Sequence, residues 1–210
     1  MNIAIPIFDD LTALDAVGPY EVLSRLPDAE VSFLAAQPGP KRTENGALAL
    51  VADHPLSALA HPEILVVPGG YGTRALMHDE TLLAWLREAH AHSRWTTSVC
   101  TGALLLAAAG ILDGLEATTH WLALDMLAAF GAIPVSRRVV EQGKVFTAAG
   151  VSAGIDMALT LAARVAGEEL AQAIQLGIEY DPDPPFVGGS IRSAPAAIVE
   201  LVRSHAAWLA

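Results

Sequence analysis

Residues 95–110 read WTTSVCTGALLLAAAG. Trp95–Val99 has the β-branched content of a short strand. Thr101–Ala109 is a strong helix-forming run that ends at Gly110, a residue suited to closing a helix. A strand that feeds a helix with no intervening loop is the building unit of an α/β fold. It also sets Cys100, the only cysteine in 210 residues, on the turn between the two elements. Two readings of that thiol compete. Free cysteine is among the most buried residue types and could simply fill space. A thiol at a helix start could instead be a nucleophile, its pKa lowered from about 8.5 toward neutrality by unpaired backbone N–H groups.

The same alternation extends along the chain. Strands are predicted at Ile3–Phe8, Val31–Ala35, Leu48–Val51 and Ile64–Val67. Helices are predicted over Asp15–Leu26 and Thr81–His92, the second from Leu82, Leu83, Trp85, Leu86 and Ala89 at helical spacing. Further helices are expected over His120–Phe130, Ser152–Val165 with Ser152 as N-cap, Glu168–Glu179 and Pro195–Leu209. Val139–Glu141 and Val145–Ala148 straddle Gln142-Gly143 as a hairpin. Apolar strands alternating with helices predict one α/β domain over 1–210, a mostly parallel sheet with helices on both faces. In such sheets sites form beyond the carboxyl ends of the strands. Three loops are therefore expected to converge: Asp9–Asp15, Pro68–Thr73 and Cys100–Gly102.

Composition narrows the partners. A net charge of −11 with only 12 lysines and arginines argues against nucleic acid and against anionic membrane surfaces. One cysteine rules out an internal disulfide and a cysteine-rich zinc site. The N-terminus MNIAIPIFDD has no basic segment of the signal-peptide kind, and the longest apolar run falls short of the ~20 residues of a membrane span. The expectation is a cytoplasmic protein.

Candidate chemistry gathers at the three loops. Pro68–Thr73, PGGYGT, has glycines at 69, 70 and 72. It reads either as an oxyanion cradle or as a tight turn. It is neither a dinucleotide fingerprint nor a P-loop. Asp15 stands among apolar neighbours in LTALDAVGPYEVL, where burial would raise its pKa into the range useful for proton transfer. It could equally be a helix N-cap. Of seven histidines, His120 in ATTHW is the one expected near the site. No histidine immediately follows Cys100, so a protease-like Cys–His pair is not evident, and nothing resembles a zinc or calcium motif.

Taken together, LDAVGPYEVL (14–23), VPGGYGTRALM (67–77), SVCTGALLLAAAGIL (98–112), ATTHW (117–121), GAIPV (131–135), AGIDMALTLAA (153–163) and YDPDPPF (180–186) resemble the DJ-1/PfpI superfamily. This group lies within the class I glutamine-amidotransferase-like proteins, and the resemblance is closest to its isocyanide (isonitrile) hydratases. It implies a flavodoxin-like three-layer sandwich with a nucleophile elbow at Cys100. It further implies Asp15 as the acidic partner, Thr101 as the residue after the nucleophile, and Gly70 with the Thr101 backbone, beside Gly69, as the oxyanion region. Tyr71 and Arg74 depart from the pattern and could reshape the pocket. No metal or organic cofactor is implied, and the family is typically homodimeric. The implied reaction is hydration of an isocyanide to an N-substituted formamide through a thioimidate on Cys100. Two alternatives stay open: a glyoxalase III or amidase-like enzyme acting on small carbonyl compounds, and a non-enzymatic redox or ligand sensor.

Overall fold

The computed structural model describes residues 1–205. In chain order the elements are β1 (Asn2–Pro6), α1 (Ala13–Leu23), β2 (Glu30–Ala35), β3 (Gly39–Arg42), β4 (Ala49–Ala52), β5 (His54–Pro55), β6 (Ile64–Val67), α2 (Thr73–Leu76), α3 (Glu80–His92), β7 (Trp95–Val99) and α4 (Gly102–Ala108). There follow β8 (Glu116–Ala117), β9 (Ile133–Pro134), β10 (Val139–Gln142), β11 (Val145–Ala148), α5 (Ala153–Ala166), α6 (Glu168–Gly177) and α7 (Ala196–Ser204).

Seven strands form the central sheet in the order β10-β11-β7-β6-β1-β2-β5. All its pairings are parallel except β10 with β11. Strand alternation divides the core into two layers. Ile3, Ile5, Ile64 and Val66 pack with α1 and α5 residues such as Val22, Leu23, Met157 and Leu161. Ala4, Leu65 and Val67 pack on the opposite face with Leu82, Leu86, Leu104 and Leu106 of α3 and α4. Strands covered on both faces need no polar residues, which is why β6 is simply Ile-Leu-Val-Val and wholly buried. This is the expected three-layer α/β sandwich.

Local signals set the helix starts. Asp79 Oδ1 accepts from the N–H groups of Thr81 and Leu82, capping α3, an arrangement worth about 1 kcal/mol. The opening of α5 is fixed by close packing instead. A Cβ on Gly154 would lie 3.0 Å from Val99 and 3.3 Å from Pro19, so only glycine lets α5 meet the end of β7 and α1 at this distance.

Several expectations need correction. Asp15 is not the N-cap of α1; Thr12 flanks the helix and Asp15 lies in its first turn. Ser152 flanks α5 but its side chain makes no capping hydrogen bond. Trp121–Phe130 winds as 3-10 turns rather than an α-helix; His120 Nδ1 accepts from Leu122 N at the start and Gly131 closes the end at φ +83°. The expected β-strand at 48–51 is shifted by one residue, and its partner β3 was not anticipated. The last helix covers Ala196–Ser204, and residues 206–209 of the expected span lie outside the described residues.

Candidate active site

The carboxyl ends of β1, β6 and β7 release the three predicted loops, and hydrogen bonds join them. Thr12 N donates to Gly69 O at 3.0 Å. Gly69 N donates to Asp15 Oδ2 at 3.0 Å, and Gly70 N to Thr101 Oγ1 at 2.9 Å. The Thr101 hydroxyl in turn donates to Gly70 O at 3.1 Å. Such density of contact depends on the missing side chains. A Cβ on Gly69 would stand 2.5 Å from Thr101 N and 2.9 Å from Asp15 Oδ2, and one on Gly102 would stand 2.1 Å from Val67 O.

Cys100 occupies the turn with φ +54°, left-handed backbone that a non-glycine residue adopts at a cost of about 1 kcal/mol. Its surroundings hold it there. Cys100 N donates to Ala149 O at 2.8 Å, and Thr119 Oγ1 donates to Cys100 O at 2.7 Å. The side chain is 6% exposed.

Asp15 is fully buried. Burial pushes its carboxyl up to about 7; the Gly69 N–H opposes this, the Glu44 charge adds to it, and a hydrogen bond with the Cys100 thiol lowers it. Oδ1 has no conventional hydrogen-bond partner, which suits an acid that holds a proton. The thiol is also pushed up, first by burial and then by the Asp15 charge, while the N–H groups of Val151 and Thr101 pull it down. The expectation of a thiol lowered by the helix start is thus reversed. Only seven residues of α4 stand behind Cys100, and desolvation outweighs them.

The oxyanion expectation also changes. The N–H groups of Gly69 and Gly70 are already bound to Asp15 and Thr101, so both glycines serve the architecture of the site. Instead, the N–H groups of Thr101 and Val151 address the sulfur. Val151 was not legible as a site residue, because nothing in its sequence context marks it.

A cavity of about 160 Å³ opens on Cys100, lined also by Thr101, Gly70, Tyr71, His120 and Glu44. Tyr71 and His120 line the same cavity as Cys100, while Asp15 and Gly69 are not among its lining residues. Glu44, unforeseen, is held by Thr12 Oγ1 at 2.9 Å. His120 lies below the usual imidazole range through burial and the Arg74 charge. With Nδ1 accepting from Leu122 N, the neutral ring carries its proton on Nε2. A second cavity of about 520 Å³ shares His120 and is bounded by Arg137, Arg138 and Ser190. The one cluster of metal-type side chains among the described residues, His61, Glu88 and His92, precedes β6 and β7 in the chain, whereas Cys100 follows the carboxyl end of β7.

A profile of the DJ-1/PfpI family matches residues 1–164. The chain belongs to the DJ-1/PfpI family. An isonitrile hydratase from Pseudomonas putida is 44% identical over 207 residues, covering 99% of this chain and 90% of the relative. A solved DJ-1/PfpI-type structure, a THiJ/PfpI family protein from Pseudomonas syringae, superposes with a TM-score of 0.92 at 39% identity, covering 97% of this chain and 86% of that one. The chain is also similar to an HTH-type transcriptional regulator, CdhR of Pseudomonas aeruginosa. It is 32% identical over 172 residues, which is 80% of this chain and 50% of the regulator. No helix among the described residues is long and apolar enough to cross a membrane.

Proposed function

We propose that this protein is a cysteine-dependent isocyanide hydratase, converting an isocyanide and water to the N-substituted formamide. The observation that carries this reading is the fully buried Asp15 carboxyl, raised to about 7 by that burial, together with the Cys100 thiol set on a left-handed turn. The 44% identity to an isonitrile hydratase over nearly the whole chain supports it.

The pair works as a unit. With one proton between them, the form that reacts has thiolate on Cys100 and acid on Asp15, the sulfur facing the N–H groups of Thr101 and Val151. The sulfur attacks the terminal isocyanide carbon, forming the S–C bond, and Asp15 delivers its proton to that carbon. The product is a thioimidate, R–N=CH–S–Cys100. Asp15, now a carboxylate, takes a proton from water as the oxygen adds to carbon, and passes it to nitrogen. The tetrahedral adduct then breaks its C–S bond while its hydroxyl proton returns to Asp15. N-substituted formamide leaves, and the thiolate–acid pair is restored.

The chain is read as one domain over 1–210 that works as a cytoplasmic homodimer, with no metal, organic cofactor or nucleic-acid partner. A single sheet joins strands from both ends of residues 2–148, and the −11 net charge opposes polyanion binding. Cys100 is 6% exposed, which argues against a peroxide sensor, whose thiol must be accessible. The test is formamide production from phenyl isocyanide, followed by chromatography. Multiple turnovers are expected. Stoichiometric loss of isocyanide without released formamide would reject the hydratase reading.

A further inference from the structure

Six of the arginines pair with carboxylates within 4 Å: Arg25, Arg87, Arg137, Arg138, Arg164 and Arg203. Of the ten in the chain, Arg42, Arg74, Arg94 and Arg192 make no such pair among the described residues, and of these four Arg74 lines the Cys100 cavity. It is half-buried, on the four-residue helix α2. What it has instead is one long hydrogen bond to Gly70 O at 3.3 Å and the face of Tyr71, with Cζ 5.0 Å from the ring centroid. A guanidinium has five N–H donors in a planar fork. A single 3.3 Å contact leaves most of them unused, at a place where solvent is partly excluded. The opposite charge in the same cavity, Glu44, is held by Thr12 and not by Arg74.

We propose that Arg74 is an anion subsite of the catalytic cavity, and that the substrates are isocyanides bearing a carboxylate close to the isocyano group. The inference rests on the hydratase reading and names its substrate class. Geometry limits the spacing of the two groups. A cavity of about 160 Å³ has room for a small acid, so the carboxylate must lie few bonds from the carbon that Cys100 attacks. When it sits on the adjacent carbon, the product is an N-formyl amino acid. Tyr71, 52% exposed and stacked on the guanidinium, holds the fork in place while leaving its edge to the ligand. A carboxylate meeting Arg74 gains charge-assisted, two-point contact that a neutral ester cannot make. Elsewhere the chain's net charge of −11 repels such a ligand, so discrimination must come from this one local cation.

The test compares kcat/KM for isocyanoacetate and its methyl ester in wild type, Arg74→Met and Arg74→Lys. The wild type is expected to prefer the acid at least tenfold. Arg74→Met should erase that ratio and Arg74→Lys should restore part of it. Were Arg74 only a staple for the 68–73 loop, acid and ester would fall together and the ratio would stand, which overturns the proposal. So would a wild-type preference for the ester. If phenyl isocyanide is turned over and neither of these compounds is, the proposal is overturned and the hydratase reading stands; if phenyl isocyanide is not turned over either, the hydratase reading fails. Calorimetry with N-formylglycine and its methyl ester then decides the subsite on its own. Tenfold tighter binding of the acid, lost in Arg74→Met, upholds it, and equal binding of the two overturns it.

Discussion

Two cavities meet at His120, and they differ in what their walls can do. The larger, about 520 Å³, is bounded partly by Gly189–Arg192; of its arginines, Arg137 and Arg138 pair with Glu116 and Asp156, while Arg192 makes no such pair among the described residues. The smaller, about 160 Å³, holds the only thiol of the chain and an unpaired guanidinium, and the Asp15 carboxyl, raised to about 7, is bound to Gly69, next to its lining residue Gly70. Volume and reactivity are therefore separated in this molecule. Around the reactive cavity three loops are held within hydrogen-bond distance of one another, with Gly69, Gly70 and Gly102 where a Cβ would intrude.

Substitutions on either side of His120 sharpen that contrast. The largest effect falls on the nucleophile. Cys100→Ala should lower formamide formation at least thousandfold while leaving the circular dichroism spectrum unchanged. Next comes Asp15→Asn, read as stability against pH. The folded carboxyl titrates at about 7 against an ordinary 3.8, so its favourable contribution is complete below the ordinary value and is lost as pH rises through about 7. Between pH 5 and pH 8 the wild type should lose about 2–3 kcal/mol that Asp15→Asn does not lose. Thermal melts of the two at both pH values would show it, and parallel curves would contradict it. Thr101→Val removes the acceptor of the buried Gly70 N–H. It should cost about 1–3 kcal/mol of stability in denaturant titrations and reduce turnover several-fold. The smallest effect belongs to the larger cavity. Arg137→Gln breaks an exposed pair with Glu116 and should change turnover less than twofold. A larger drop there would erase the distinction between the cavities.

Much of this was legible in the chain. WTTSVCTGALLLAAAG carries strand, turn and helix in one line, and the apolar strands give the buried parallel sheet. The convergence of the three loops follows from topology, and hydrogen bonds between Gly69 and Asp15 and between Gly70 and Thr101 join them. What remained hidden depended on contacts between distant segments. The strand β3, Gly39–Arg42, contains Pro40 and two cations and has no apolar alternation; only pairing with β4 makes it a strand. Glu44 reads as an ordinary surface acid until the β3–β4 turn brings it to Thr12. The roles of Gly69 and Gly70 were misjudged because a glycine loop shows which N–H groups are free to turn, not which are already bound. The thiol shift was misjudged for a similar reason: a helix start is visible in sequence, but the burial that outweighs it is not.

The central claim is that Cys100 and Asp15 share one proton in the reactive state. The pH dependence of kcat/KM for phenyl isocyanide tests it most directly. Below the carboxyl pKa both groups are protonated and no thiolate–acid pair exists, so activity should rise with pH about a midpoint near 7 and level off above it. A midpoint near 4, or a flat profile from pH 5 to pH 8, would contradict the account.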